Sequence, residues 1–166
     1  VGRANRSRPA RPMRMIDLLR HTSGLTYGLQ RQTPIDARYR KLGLDEFQQK
    51  RTSDQFIADL ATLPLEFSPG DAWNYSMSTD VLGYLVQVVS GKPFDQFLRE
   101  EIFEPLGMRD TGFFVPPEKQ SRLPACYERR LNKKIVLQDD PATSSYLTPP
   151  DFLSGGGGLV STAHDY

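Results

Sequence analysis

The chain has 166 residues, with 21 Lys and Arg against 20 Asp and Glu and a net charge of +1, which excludes the charge surplus of a dedicated nucleic-acid or membrane-surface binder. Hydrophobic residues make up 38% and charged residues 25%, alongside 13 Gly and 13 Pro; this suits one domain with a moderate core and long irregular connections, or a segment of something larger. Cys126 is the single cysteine, so no internal disulfide forms, and no apolar run approaches transmembrane length.

Residues 1–12 read as a basic, flexible lead. Arg3, Arg6, Arg8 and Arg11 occur there without one acid. Met15, Ile16 and Leu19 then recur at helical spacing, with Gly24 as a stop after His21-Thr22-Ser23. Thr33-Pro34 opens a more polar helix to about Leu42, with Gly43 just past its end. Thr52 and Gln55 fit a capping box ahead of Phe56, Ile57, Leu60 and Leu63, until Pro64 halts the helix.

Val81, Leu82, Leu85, Val86, Val88 and Val89 make the fourth helix apolar almost all round, which predicts burial in the middle of the fold. Gly91 ends it, and Pro93 starts a fifth with a stripe of Phe94, Phe97, Leu98 and Ile102. Cys126–Arg130 and Lys134–Leu137 flank Leu131-Asn132-Lys133 as a short hairpin. After the run Gly155–Gly158, Ser161 or Thr162 suits a helix N-cap, yet Tyr166 is only a turn further on. The expected fold class is therefore mainly α with long loops and a small β-hairpin. Residues 13–166 are expected to be a helical region truncated at both ends.

Tyr75 is the leading candidate for chemistry. It closes the turn-rich stretch FSPGDAWNYS and precedes an apolar helix. A free phenol has a pKa near ~10, so it relays protons at neutral pH only where a cation or a helix N-terminus stabilises its phenolate. The plain alternative is a tyrosine whose hydroxyl satisfies a loop carbonyl. His21 closes the first helix with Thr22 and Ser23, in a turn whose side chains bond backbone groups, and no triad pattern surrounds it. The pairs Glu100-Glu101 and Asp139-Asp140 point apart and are solvated. The glycine run fits no phosphate-binding motif and serves close backbone packing.

Five stretches taken together resemble one family: IDLLRHTSGL (16–25), FSPGDAWNYS (67–76), DVLGYLVQVVSGKPF (80–94), EIFEPLGMRDTGF (101–113) and GGGGLVSTAHDY (155–166). It is the serine β-lactamase and penicillin-binding-protein-like hydrolases, including class C β-lactamases, D-alanyl-D-alanine carboxypeptidases and carboxylesterase relatives. The resemblance implies an α/β fold with an inserted helical region, to which this chain corresponds. It implies acyl transfer through a serine in S-x-x-K, with neither metal nor cofactor and a small ester or amide as substrate. Tyr75-Ser76-Met77 matches the second motif, Y-x-N, so Tyr75 is implied as the proton relay.

Met77 departs from that motif, because a thioether cannot hydrogen-bond a substrate amide. As a substrate-binding residue it tilts the expectation from lactams toward esters, with Trp73 as a wall of the site. No serine in the chain has a lysine three positions on, and K-T-G, K-S-G and H-x-G are absent. The stretch is thus expected to be inactive alone and to self-associate through faces meant for the sheet. The alternative is a non-catalytic binding or scaffold member of the family.

Overall fold

The computed structural model describes residues 8–46 and 50–166, so Arg3 and Arg6 of the basic lead lie outside the described residues. Helix α1 spans Met15–Leu19, and its start is set by Asp17. That carboxylate accepts the Arg14 N–H at 2.9 Å and two parallel bonds from the Arg11 guanidinium at 2.7 and 2.8 Å. The lead is thereby pinned at Arg11. Helix α2, Pro34–Lys41, carries Thr33 as N-cap and Asp36 reaching back to the Thr33 N–H, with Gly43 at φ +64° beyond its end. Helix α3, Ser53–Ala61, begins with the Thr52–Gln55 capping box.

Helix α4, Ser78–Ser90, ends on Gly91 in the left-handed conformation. Its burial corrects the expectation of a central apolar rod. The buried positions are Ser78, Asp80 and Gly83, whereas Val88 and Val89 are exposed. The reason lies in what packs there. Gly83 faces Gly155 backbone to backbone, so closely that a Cβ on Gly83 would sit 2.9 Å from the Gly155 Cα. That approach requires small residues on the buried face, and the valines fall on the other side.

Helix α5, Phe94–Leu98, continues into a π turn, Arg99–Phe103, with Glu104 N–H bonded to the Arg99 carbonyl at 2.9 Å. The wider turn slips the apolar register by one residue. Phe103 therefore takes the buried place that α-helical spacing gives to Ile102, which is exposed. Strands β1, Cys126–Arg129, and β2, Ile135–Asp139, form the antiparallel hairpin around Lys133 at φ +64°. Strand β2 runs two residues beyond the expected end, past a register irregularity at Cys126/Tyr127. The Thr162 hydroxyl accepts the Asp165 N–H at 3.3 Å, but residues 163–165 form only a turn, so the expected helix start is not seen. Regular structure is thus mainly helical with one two-stranded hairpin, and no helix among the described residues is long and apolar enough to cross a membrane.

The chain divides into two compact units, one of residues up to Phe97 with Asp151–Gly158, the other of Leu98–Pro150 with Leu159–Tyr166. The first has its own core of Leu18, Leu25, Tyr39, Leu44, Phe56, Leu60, Met77 and Phe152. Phe56 and Phe152 meet with ring centroids 4.6 Å apart, tying Asp151–Gly158 to α3. The second unit holds a bridge between Gly112 and Val160. Beside it Asp165 accepts from the Asp110 N–H and the Thr111 hydroxyl.

Three carboxylates in these units give an acid-stability prediction. Hydrogen bonds from Arg11 hold Asp17 well below the usual carboxylate range, and those from Arg122 and Lys119 do the same for Asp110. Burial pushes Asp36 up, but the Thr33 and Gln32 N–H groups and Arg40 outweigh it and leave it lowered. A carboxylate lowered by folding contributes stability that is fully present above its unfolded value near ~4 and is lost as the pH falls through the folded value. Asp45, pushed upward by burial, acts in the opposite sense. The urea midpoint should hold above the carboxylate range and fall below it. Asp17→Asn should narrow the difference between neutral and acid midpoints, and an unchanged difference would remove Asp17 from the account.

Candidate active-site segment around Tyr75

Two stretches distant in sequence are laced together in the first unit. The Gly70 N–H donates to the Thr22 carbonyl at 2.8 Å, Asn74 N–H to the His21 carbonyl at 2.8 Å, and Glu66 N–H to the Gly24 carbonyl at 2.8 Å. The Asn74 amide donates to the Leu25 carbonyl at 2.9 Å. Gly24, at φ +84°, lies so close to the Phe67 carbonyl that a Cβ would collide with it. The turn after α1 is therefore the bed on which residues 66–77 lie, and α4 starts directly after them.

Tyr75 stands on this bed with its side chain half exposed. Its carbonyl accepts from the Gln30 amide at 2.6 Å, which also donates to Asn74 Oδ1. Two rings flank the phenol. His21 lies 5.0 Å away between centroids and Tyr27 5.2 Å away, both tilted. Trp73 is 67% exposed and meets the His21 ring edge-on at 6.2 Å.

Tyr27 is tethered from behind, its hydroxyl donating to Asp80 Oδ2 at 3.4 Å. Burial first, then the Asp80 carboxylate, pushes the Tyr27 phenol far above its ordinary range, so it stays a neutral donor. Asp80 also accepts from the Ser154 hydroxyl and from the Gly156 N–H at 3.3 Å. Asp80 sits in the first turn of α4, where the helix dipole favours a carboxylate. One buried carboxylate thus ties the ring beside Tyr75 to the glycine run.

The structure brings Tyr75 and Trp73 to the surface together but sets Met77 apart. Met77 is 2% exposed and packs in the core with Leu18, Leu25 and Phe56. Its side chain contributes to this packing and does not share the exposed face of Tyr75. Tyr27 and Gln30, which support Tyr75, carry no signal of their own in the sequence. His21 closes α1 with its backbone at φ +55°, and the Ser23 hydroxyl accepts the Leu25 N–H at 3.1 Å, as a turn role requires. The packing of the His21 ring on Tyr75 is an addition that no local pattern announces.

What this arrangement can do is hold a phenol at a fixed place beside a helix start, open to an approaching reactant. Among the described residues the chain offers it no S-x-x-K nucleophile.

A family model described as Beta-lactamase matches residues 4–166. Protein Rv1367c of Mycobacterium tuberculosis is 42% identical across all of this chain, which spans 40% of that protein. Esterase EstB of Burkholderia gladioli is 31% identical over 89% of this chain and 41% of its own length. Among solved structures, EstCE1, described as a hydrolase with promiscuous acyltransferase activity, superposes with a TM-score of 0.76 at 27% identity, over 96% of this chain and 44% of that one. The chain therefore spans about two fifths of the length of these relatives.

Proposed function

The chain belongs to the β-lactamase family of serine hydrolases, and from that premise we propose that the whole protein works through an acyl-enzyme with Tyr75 as its proton relay. The observation that carries the reading is the placement of Tyr75. A half-exposed phenol is braced by two rings and anchored through its own carbonyl, in the stretch that matches the family's second motif.

In the proposed reaction a serine hydroxyl, supplied with its lysine by residues outside this chain, attacks the carbonyl carbon of the substrate. The hydroxyl proton passes through Tyr75 to the leaving oxygen or nitrogen as the C–O or C–N bond breaks. Water then resolves the acyl-enzyme by the same route in reverse. The stretch 67–94 is the second-motif part of the helical region of that fold, and the S-x-x-K pair belongs to the remainder.

Esters are proposed over β-lactams. Two features support this: the name and 31% identity of EstB, and the replacement of the motif's amide-bearing asparagine by Met77. Since Met77 is buried, its effect is subtractive, removing an amide partner without providing a new contact.

The test uses the full-length protein with p-nitrophenyl butyrate and a chromogenic cephalosporin. Ester turnover should exceed lactam turnover, and the 166-residue stretch alone should hydrolyse neither. Faster cephalosporin hydrolysis would overturn the ester preference, and turnover by the stretch alone would overturn the assignment of the nucleophile. A full-length sequence without serine and lysine in S-x-x-K register would leave a binding or scaffold role instead.

A further inference from the structure

The bed beneath Tyr75 contains a buried chain of hydroxyls. Ser76 and Ser78 are 2.8 Å apart between their Oγ atoms, Ser78 and Ser23 are 2.8 Å apart, and all three are fully buried. At one end the Ser23 Oγ accepts the Leu25 N–H. At the other end His21 Nδ1 lies 3.4 Å from the Ser76 Oγ.

Only one direction of donation places every hydroxyl proton on a partner within the chain. Ser23 donates to Ser78, Ser78 to Ser76, and Ser76 to His21 Nδ1. The reverse direction leaves the Ser23 proton without an acceptor in the chain, a cost of ~1–3 kcal/mol for a buried donor. The imidazole is thereby held with Nδ1 as acceptor and Nε2 carrying the proton, and its ring plane is fixed from behind. The backbone is fixed as well. His21 sits at φ +55°, an uncommon conformation for a residue with a side chain, and its carbonyl is bonded to the Asn74 N–H next to Tyr75.

We propose that His21 is a positioning residue for Tyr75, its imidazole locked by the Ser76–Ser78–Ser23 chain so that the ring fixes the phenol in its reactive orientation. The inference rests on the assignment of Tyr75 as proton relay. It gives His21 no bond to make or break. Its contribution is to reduce the number of orientations Tyr75 samples, which matters to the rate because a proton transfer falls off steeply with misplacement. The half-exposed Tyr75 would otherwise swing on its two side-chain torsions, since Tyr27 restrains only one flank.

A double-mutant cycle on the full-length protein with p-nitrophenyl butyrate tests this. His21→Asn removes the ring while keeping a residue that tolerates the left-handed backbone. It should lower kcat by about 10–100-fold with KM changed by less than about 3-fold. In a Tyr75→Phe background the same substitution should cost less than about 2-fold, because the group it positions is already gone. His21→Phe keeps a ring but offers the Ser76 hydroxyl no acceptor, so its kcat should stay below wild type. Rates are referred to the folded fraction from near-ultraviolet circular dichroism, so that lost stability does not imitate lost positioning.

Wild-type kcat in His21→Asn, wild-type kcat in His21→Phe, or an equal loss in both backgrounds would each overturn the proposal. A Tyr75→Phe variant that keeps wild-type rates would overturn the proton-relay reading itself, a separate outcome from a silent His21.

Discussion

Tyr75→Phe in the full-length protein is expected to lower kcat/KM for p-nitrophenyl butyrate by about 10²–10⁴-fold, the range for removing a general acid–base group. The substitution deletes one oxygen. Both flanking contacts are made by the ring, and the bond from Gln30 is made to the Tyr75 backbone carbonyl. Among the described residues the Tyr75 hydroxyl has no hydrogen-bond partner, and the side chain is half exposed. Folding should therefore be indifferent to its loss, and the urea midpoint should match wild type. That combination separates chemistry from structure. Were the hydroxyl only satisfying a loop carbonyl, stability would fall and the rate would not. A Phe variant with wild-type rates removes Tyr75 from the mechanism.

The parts of the fold that could be read from sequence are those decided within four or five residues. Thr33 with Asp36, and Thr52 with Gln55, start their helices because cap and backbone are neighbours in the chain. Gly43 and Gly91 end theirs because the left-handed residue is local. The hairpin followed from a turn between two short alternating runs. Part of what could not be read depends on partners far along the chain, and part on a local departure from α-helical spacing. The buried face of α4 is set by Gly155, and nothing in its own periodicity says that the glycine side is the inner one. The slip from Ile102 to Phe103 follows a π turn that α-helical spacing does not anticipate.

The same division runs through the candidate site. Tyr75 and Trp73 are adjacent in a motif and were visible together. Their supports, His21, Tyr27 and Gln30, come from another stretch, and the link is made by backbone bonds that leave no mark on residue types. Met77 shows the converse. Its identity was legible as a departure from the family motif, but its burial in the core was not. A motif position fixes what a side chain can do chemically, and only packing decides whether it faces a reactant.

The glycine run offers the sharpest test of packing, because two of its members stand in opposite surroundings. A Cβ on Gly155 would collide with the Thr79 carbonyl and come within 2.9 Å of the Gly83 N and 3.0 Å of its Cα. These are backbone atoms at the start and middle of α4, which cannot turn aside as a side-chain end can. Around Gly157 a Cβ would meet nothing within 4 Å. Gly155→Ala is therefore expected to destabilise by about 1–3 kcal/mol or more, the cost of overpacking where neighbours cannot relax. Gly157→Ala should lie within about ±0.5 kcal/mol of wild type, as an unobstructed surface change does. The readout is the urea midpoint of each variant at neutral pH. Equal midpoints for the two variants would mean that the α4–Gly155 approach is looser than the backbone distances give. If Gly155→Ala alone falls, the small buried face of α4 is accounted for. Asp80, held against Ser154 and the Gly156 N–H on the adjoining residues, then owes its place behind Tyr27 to that same close approach.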